Sequence, residues 1–405
     1  MRRLIVAVVA VLATLVPLHD ARVRADAEVR ALWVVRTSLS SPGAIDTMIK
    51  AASAGGFNTL LVQVRGRGDA YYAGGLEPRP AALAGEPTFD PLATAIARAH
   101  EAGLQVHAWI NVNLVSAANE LPSARDHIVY RHPEWLMIPR ALAEDLAGVD
   151  ARSPEYLGRL SRHVRSRATE IEGLYLSPIT PEATDHTVSV VRDIVNRYAV
   201  DGVHLDYARY PAEDFDYSRE ALAAFRRSVA ADLRPAERQM YDRRLVEEPI
   251  IYTQAFPERW RMFRTERLTA LVQKVGTAVR SVRPAATISA AVMPDASDAS
   301  LRRFQDWGGW LRHNLIDVVC PMAYTADAAT FVSQVTAAQA ISGPHPLWAG
   351  IGAYRLSQGQ IVENVHAARR LGVGGVILFS YDALTGPMRG PEYLSEVGRA
   401  AFNMQ

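Results

Sequence analysis

The sequence has little of three things that would narrow its function: cysteine, charge of one sign and long apolar runs. Its only cysteine is Cys320, so no disulfide can form within the chain and stability has to come from a packed core. The 44 basic and 43 acidic residues give a formal net charge of +1, which argues against a dedicated nucleic-acid-binding protein. The hydrophobic share of 49% and the charged share of 21% are typical of globular proteins.

Several catalytic signatures are also missing from the sequence. It contains no His-x-His pair, no Gly-x-Ser-x-Gly segment and no phosphate-binding P-loop. His107 and His204 fall on different predicted strands, and a zinc site needs more ligands than these two. Cys320 lies in the apolar run DVVCPM, which predicts a buried and inert thiol. We therefore expect neither a metal ion nor another cofactor.

The one long apolar run lies at the amino terminus. Arg2 and Arg3 precede the apolar residues 4–16, Pro17 ends the run, and Val23-Arg24-Ala25 places small residues at the positions that a signal peptidase reads. This order predicts a secretory signal peptide over residues 1–25, cleaved near Ala25. A membrane anchor is the alternative, but the run is too short to span a bilayer. We expect no stable membrane anchor after cleavage, and a periplasmic or secreted protein.

Eight short apolar runs rich in Val, Ile and Leu recur along the rest of the chain. Continuous apolar runs, unlike alternating ones, are typical of parallel strands that are buried on both faces. Helical patterns lie between most of these runs, with caps such as Asp90 and stops such as Gly103. The eight runs cover residues 31–35, 59–64, 105–110, 202–205, 287–292, 317–321, 347–351 and 376–379.

Eight strands that alternate with helices predict an α/β fold of the (β/α)8, or TIM-barrel, type. The alternative is a doubly wound open sheet, but no glycine-rich phosphate-binding segment follows the first strand. We predict one domain over residues 26–405. Long insertions are expected after strand 3, at about 113–200, and after strand 4, at about 212–258. The first insertion includes a possible extra strand at residues 173–176.

Polar and aromatic residues follow many of the predicted strands, and the carboxyl ends of barrel strands carry the active site in this fold. Aromatic rings stack on the apolar faces of sugars, Asn, Arg and His bond sugar hydroxyls, and carboxylates carry acid and base chemistry. The pattern therefore predicts a polysaccharide or other glycan as substrate. The predicted substrate-binding residues are Arg65, Tyr71, Trp109, Asn111, His204, Tyr207, Arg209, Tyr324 and Tyr381.

Asp206, at the end of strand 4, is the leading catalytic candidate. A carboxylate there can protonate a leaving oxygen, act as a nucleophile or act as a base on water, while a structural ion pair with Arg209 is the alternative. A glycosidase generally needs a second carboxyl group. Asp69 and Asp295 are the candidates, each with an alternative structural role in shaping a loop or capping a helix. Asp201, at the start of the strand, fits a turn or cap better than catalysis.

Nine segments of the sequence resemble those of the glycosyl-hydrolase-like family 10. The two most specific are QVRGRGDAYY at 63–72 and DGVHLDYARYP at 201–211, and the resemblance covers essentially the whole chain after the predicted signal peptide. The other segments include RALWV at 30–34, FDPLATAIARAHEAGLQVHAWIN at 89–111, HPEWL at 132–136, YLSPITPE at 175–182, DVVCPMAYT at 317–325 and GGVILFSYD at 374–382.

The resemblance implies a TIM barrel that acts on glycosidic bonds. Some relatives are linked to bacterial cell-wall glycan and cleave peptidoglycan strands from which the peptides have been removed. Asp206 matches the strand-4 acid of the family, and Asp69 matches the acid of the loop after strand 2. Many relatives have two adjacent Asp where this chain has Asp206 and Tyr207. Two hypotheses follow: an exported glycoside hydrolase, and a glycan-binding barrel without catalysis.

Overall fold

The centre of the protein is a ring of eight parallel strands. The structure, a computed structural model, describes residues 28–390 and 392–402. The strands are β1 (Val29–Val34), β2 (Thr59–Arg65), β3 (Gln105–Asn111), β4 (Gly202–Asp206), β5 (Thr287–Val292), β6 (Val318–Pro321), β7 (Trp348–Ile351) and β8 (Gly375–Phe379).

The order of the strands makes the sheet a nearly closed barrel. Neighbouring strands pair in the order β6-β5-β4-β3-β2-β1-β8-β7, and single parallel bridges at Val319–Leu347 and Met322–Gly350 link β6 to β7. A doubly wound sheet would leave two open edges, so the predicted (β/α)8 barrel is confirmed. All eight predicted strands are confirmed, to within two residues at the start of β1 and to within one residue at every other end, while the extra strand expected at 173–176 is wrong. That segment forms only isolated bridges, at Tyr175 and Leu176.

Helices surround the barrel, and local sequence signals set many of their ends. The Ser41 hydroxyl and the Asp90 carboxylate accept backbone N–H bonds at two helix starts, and Gly103 provides a left-handed turn (φ 72°) after the second of these helices. The helices are α1 (Pro42–Ala54), α2 (Pro91–Glu101), α3 (Ile128–Arg131), α4 (Pro154–Ser166), α5 (Pro181–Arg197), α6 (Arg219–Ala230), α7 (Pro235–Arg244), α8 (Ile251–Ala255), α9 (Pro257–Val282), α10 (Ala296–Arg302), α11 (Trp307–Arg312), α12 (Ala328–Ser342), α13 (Gln358–Arg370), α14 (Tyr381–Leu384) and α15 (Tyr393–Phe402).

Two chain segments are longer than a barrel needs. The first joins β3 to β4 and carries α3, α4 and α5, and the second follows β4 and carries α6, α7 and α8 before the long helix α9. The second has a small apolar core of its own, in which Phe225 packs against Trp260 and Phe263. Both segments leave strand ends at the face of the barrel where side chains of the site converge. No helix in the described ranges is long and apolar enough to cross a membrane.

Side chains of successive strand residues alternate between the barrel interior and the surrounding helices. Val203 and Leu205 of β4 belong to the apolar cluster that includes the helix residues. His204 therefore points inward, where Trp33 of β1 donates a hydrogen bond to it, and Asp206 shares that face because side chains alternate with a period of two. Cys320 is also buried in the interior cluster, as expected. The predicted signal peptide lies outside the described residues.

Candidate active site

A cavity of about 360 Å³ opens at the carboxyl ends of the strands, with Asp206 in its wall. Seven of the strands or the loops that follow them contribute to it, as does the insertion between β3 and β4. Its lining residues are Trp33, Val35, Arg36, Gln63, Arg67, Trp109, Glu172, Asp206, Tyr207, Arg209, Ala291, Met322, Tyr324 and Phe379. Asp206, Trp109, Tyr207, Arg209 and Tyr324 were predicted for the site, and the structure brings these five together.

Asp206 is a nearly buried carboxyl group with two protein donors. Its Oδ1 accepts the backbone N–H of Tyr207 (2.7 Å), and its Oδ2 accepts the indole N–H of Trp109 (3.1 Å). Tyr207 has a left-handed backbone (φ 49°), a conformation that costs free energy in a residue other than glycine. Burial raises the pKa of Asp206 to about 6, although the positive charge of Arg209 and the two hydrogen bonds act in the opposite direction.

Glu172 is a second carboxyl group in the same cavity, and the sequence analysis missed it. Its Oε1 accepts a hydrogen bond from Arg209 (2.8 Å), and its Oε2 accepts one from the Tyr175 hydroxyl (2.6 Å). Burial alone would raise the pKa of Glu172, but the Arg209 charge and these hydrogen bonds leave the pKa below its ordinary value. The two carboxyl groups therefore have pKa values shifted in opposite directions.

The position of Glu172 explains why no pattern pointed to it. It lies in the insertion between β3 and β4, outside any strand or helix. The only local signal is Gly173, where an added Cβ would collide with the backbone carbonyl of Ser116. Arg209 was considered as a partner of Asp206, but its ion pair is with Glu172, and its guanidinium lies over the Tyr207 ring at 4.6 Å from the centroid.

Aromatic rings form one side of the cavity. Tyr324 and Phe379 stack with their centroids 5.5 Å apart, and Trp33 and Trp109 meet Phe379 edge-on. His204 does not line the cavity but lies in the barrel interior next to Trp33. The indole N–H of Trp33 donates to Nε2 of His204 (3.0 Å), which helps to position the Trp33 ring. Burial and the nearby His107 hold the pKa of His204 well below its ordinary value, so the neutral ring can accept this bond.

Arg65 was predicted to bind substrate, and the structure places it elsewhere. Its side chain is fully buried and forms a two-pronged ion pair with Glu77, with Nε and Nη2 at 2.7 and 2.6 Å from the carboxylate oxygens. It also donates to the backbone carbonyls of Asn111 and Val112 at the end of β3. Asn111, another predicted ligand, is buried and donates to the carbonyl of Gly66. Neither side chain lines the cavity, because both hold the strand ends together.

Asp69 was one predicted catalytic partner, and it lies outside the Asp206 cavity. Its Oδ1 accepts the backbone N–H groups of Gly66 (3.0 Å) and Arg67 (2.8 Å), and its Oδ2 lies 3.7 Å from Nε of Arg36. These contacts shape the loop after β2, which is the structural alternative considered for this residue. Tyr71, from the same loop, is buried and does not reach the cavity.

Asp295 and Tyr381 complete the predicted set, and neither lines the cavity. Asp295 is exposed and caps α10, where its carboxylate accepts the backbone N–H groups of Ser297 (2.8 Å) and Asp298 (2.9 Å). Tyr381 is buried in the first turn of α14. Asp201 lies at the opposite end of β4, where it accepts the backbone N–H of Val106 (2.8 Å), as expected for a turn residue.

Among residues 28–390 and 392–402, no group of three or more His, Cys, Asp or Glu side chains is arranged to hold a metal ion. The cavity itself presents two carboxyl groups, three arginines and several aromatic rings. A carboxyl group with a raised pKa beside one with a lowered pKa is an arrangement that can serve acid/base hydrolysis of a glycosidic bond.

The barrel as a whole has the fold of solved glycoside hydrolase domains. It superposes on the PgaB (BpsB) glycoside hydrolase domain from Bordetella bronchiseptica with a TM-score of 0.62 and 15% sequence identity. The match covers 92% of this chain and 99% of that one. At this identity the likeness defines the fold class alone, a TIM barrel.

Sequence comparison identifies the family within that class. The family model "Glycosyl hydrolase-like 10" matches residues 28–365, and the chain therefore belongs to this family. Glycosyl hydrolase YngK of Bacillus subtilis (strain 168) is 26% identical over 47% of this chain and 35% of its own length. Glycosyl hydrolase DigH of Escherichia coli (strain K12) is 24% identical over 66% of this chain and 55% of its own length. The chain thus spans about half or less of the length of these curated relatives.

Proposed function

We propose that the protein is an exported glycoside hydrolase that cleaves O-glycosidic bonds of a polysaccharide, with peptidoglycan glycan strands as the first candidate substrate. The observation that carries this proposal is the pair Asp206 and Glu172 in one cavity, with the pKa of Asp206 raised to about 6 and that of Glu172 lowered. Opposite shifts of this kind separate an acid from an ionised carboxylate. The family and the predicted signal peptide support the reaction class and the export.

In this proposal Asp206 is the general acid. Its proton passes to the glycosidic oxygen as the bond between that oxygen and the anomeric carbon breaks, and Asp206 is left as a carboxylate. The indole N–H of Trp109 and the backbone N–H of Tyr207 then stabilise the new negative charge, since both already donate to its oxygens. Glu172 supplies the ionised carboxylate that faces the positive charge developing on the sugar ring. A water molecule forms the new bond from its oxygen to the anomeric carbon, and the proton it releases restores the protonated Asp206.

A glycan-binding barrel without catalysis is the second candidate, because Tyr207 stands where many relatives have a second Asp. The presence of Glu172 in the same cavity favours hydrolysis, because it supplies a second carboxyl group from a different segment. A pure binding site also gains nothing from a buried carboxyl group with a raised pKa, since such a group costs free energy to ionise.

Product analysis tests the proposed function. Purified protein is incubated with intact peptidoglycan, with glycan strands freed of peptides and with a panel of other polysaccharides, and the products are analysed by mass spectrometry. We expect soluble oligosaccharides from at least one polymer, and their release about 10³-fold more slowly with Asp206→Asn. The anomeric configuration of the first product, measured by NMR, reports retention or inversion. Binding without any product from the whole panel would favour the non-catalytic candidate.

The pH dependence of the wild-type rate provides a second test. Because Asp206 has to be protonated and burial raises its pKa to about 6, kcat/KM is expected to fall as the pH rises above about 6. As the pH falls, kcat/KM should stay constant to a pH below the ordinary pKa of a glutamate, because the pKa of Glu172 is lowered and its carboxylate stays ionised. The measurement is kcat/KM from pH 3 to 9 on one defined oligosaccharide. A flat profile up to pH 9 would remove Asp206 as the acid.

A further inference from the structure

Two arginines stand at the junction between the Asp206 cavity and a second cavity. Arg36 and Arg67 line both of them, and the second has a volume of about 220 Å³. Its other walls come from the loop after β2, at residues 78–81, and from the insertion after β3, at residues 116–127. A polymer that extends from the Asp206 cavity into the second cavity has to pass these two guanidinium groups.

Strand β2 and the loop after it hold Arg36 at this junction. Its Nη1 donates to the side-chain oxygen of Gln63 (2.8 Å), and its Nε lies 3.7 Å from Oδ2 of Asp69. An added Cβ at Gly66 would lie 2.6 Å from Nη1 of Arg36, so only glycine leaves room for the guanidinium here. Position 66 therefore has to be glycine for Arg36 to adopt this position.

The backbone of Arg67 is fixed just as closely. Its N–H donates to Asp69 (2.8 Å), and its carbonyl contacts Nε2 of His127 at 2.7 Å. Its side chain donates only to the carbonyl of Gly66 (3.2 Å). Within residues 28–390 and 392–402, no ion pair joins the Arg67 guanidinium to a carboxylate. Arg67 is therefore a positioned cation whose guanidinium has no carboxylate in direct contact, although Asp69 and Glu120 line the same cavity.

The charge balance of the Asp206 cavity is positive. Arg36, Arg67 and Arg209 line it together with the two carboxyl groups. Glu172 is paired with Arg209, and the three arginines outnumber the two carboxyl groups of the cavity even when Asp206 is ionised. Arg36 and Arg67 therefore face whatever occupies the junction, and the second cavity adds the acids Asp69 and Glu120 and the cation Arg79.

We propose that Arg36 and Arg67 form a subsite for a carboxylate carried by the sugar next to the cleaved bond. Guanidinium groups bind carboxylates through paired hydrogen bonds, and a charge-assisted bond of this type is stronger than one to a hydroxyl. The substrate is accordingly an acidic glycan, whose carboxylate belongs to a uronic acid or to an acidic ether substituent. This inference rests on the proposed function, because it assumes that the glycan occupies the Asp206 cavity.

Binding measurements in an inactive background test the subsite. The protein is Asp206→Asn, and the probes are oligogalacturonate and oligosaccharides from peptide-free peptidoglycan strands, each before and after reduction of its carboxyl groups to alcohols. Calorimetry is expected to give a Kd about tenfold lower for at least one acidic probe than for its reduced form. Adding Arg67→Gln should raise the Kd of that acidic probe about tenfold and leave the Kd of the reduced probe unchanged. Arg234→Gln, which removes an exposed arginine outside both cavities, should change neither.

The outcomes separate the subsite from the proposed function. The subsite is overturned if the acidic and reduced forms of both probes bind with equal affinity, or if neither acidic probe binds. It is also overturned if Arg67→Gln weakens the affinity for the acidic and the reduced form equally. Hydrolysis by the wild-type protein is scored independently on the polysaccharide panel. Hydrolysis without charge preference removes the subsite alone. An Arg67-dependent preference without hydrolysis removes the catalytic proposal and leaves the subsite.

Discussion

Asp206→Asn is expected to lower kcat/KM for glycan hydrolysis by about 10³-fold, because a positioned general acid contributes about 10²–10⁴ to the rate. Asparagine has nearly the same shape and cannot donate the proton. Its amide oxygen can still accept the backbone N–H of Tyr207, so the end of β4 should keep its structure. The measurement is kcat/KM at pH 5 on one oligosaccharide of defined length.

The control for this substitution is Asp295→Asn. Asp295 lies outside the cavity, and asparagine caps a helix about as well as aspartate does, so activity and stability should both stay at the wild-type level. Asp206→Asn should stay within about 1–3 kcal/mol of the wild-type stability at pH 8, because its NH2 group replaces the oxygen that accepts the Trp109 indole N–H while the variant also avoids a buried charge. At that pH the wild-type protein has to ionise a buried carboxyl group whose pKa is raised, and the variant does not. A folded Asp206→Asn variant with wild-type kcat/KM would refute the assignment.

Glu77→Gln is expected to lower the free energy of unfolding by about 3–5 kcal/mol, the loss typical of breaking a buried ion pair from one side. Arg65 would remain fully buried with its charge uncompensated, and the contact between Glu77 and His186 (3.1 Å) would weaken as well. Chemical denaturation at pH 7 measures the effect. Glu258→Gln, which breaks an exposed ion pair with Arg261 on α9, is the control and should leave the unfolding free energy unchanged within error.

The same ion pair predicts how stability depends on pH. Burial would raise the pKa of Glu77, but the charge of Arg65 and the hydrogen bonds lower it from 4.5 to about 2. A carboxyl group with a lowered pKa stabilises the folded protein above its unfolded pKa, and this contribution disappears as the pH falls from 4.5 towards 2. The free energy of unfolding of the wild-type protein should therefore fall over that pH range. The plot of unfolding free energy against pH for Glu77→Gln should lack this decrease. Parallel curves for the two proteins would contradict the assignment.

The sequence was sufficient to predict the barrel because the signal for buried parallel strands is local. Each strand is a short continuous apolar run, and caps such as Asp90 mark helix starts. Asp206 was predictable for the same reason: it ends a strand, and the fold dictates which ends carry the site. Period-two alternation also paired it with His204, although only the packing of Val203 and Leu205 against the helices showed which face points inward.

The rest of the site depends on contacts between distant segments, which no local pattern reports. Glu172 reaches the cavity from an irregular segment, and its partner Arg209 lies 37 residues away. Arg65 lies at the end of a strand, where a substrate-binding residue would also lie. Only the structure shows that Glu77, from the loop that follows, already neutralises its charge. Asp69 points to backbone amides of its own loop, so its residue type alone could not separate a structural role from catalysis.

The Arg65–Glu77 pair also has a consequence for how a glycan is received. Arg65 connects β2 to the end of β3, and Glu77 connects the loop after β2 to His186 of α5, so four segments around the two cavities meet at one buried contact. The wall that carries Arg36 and Arg67 is consequently fixed before any substrate arrives. A sugar chain then binds without having to order this loop. The conformational entropy of the loop is lost when the protein folds and does not weaken substrate binding. Specificity on this side can change through the arginine side chains alone, with the supporting loop left as it is.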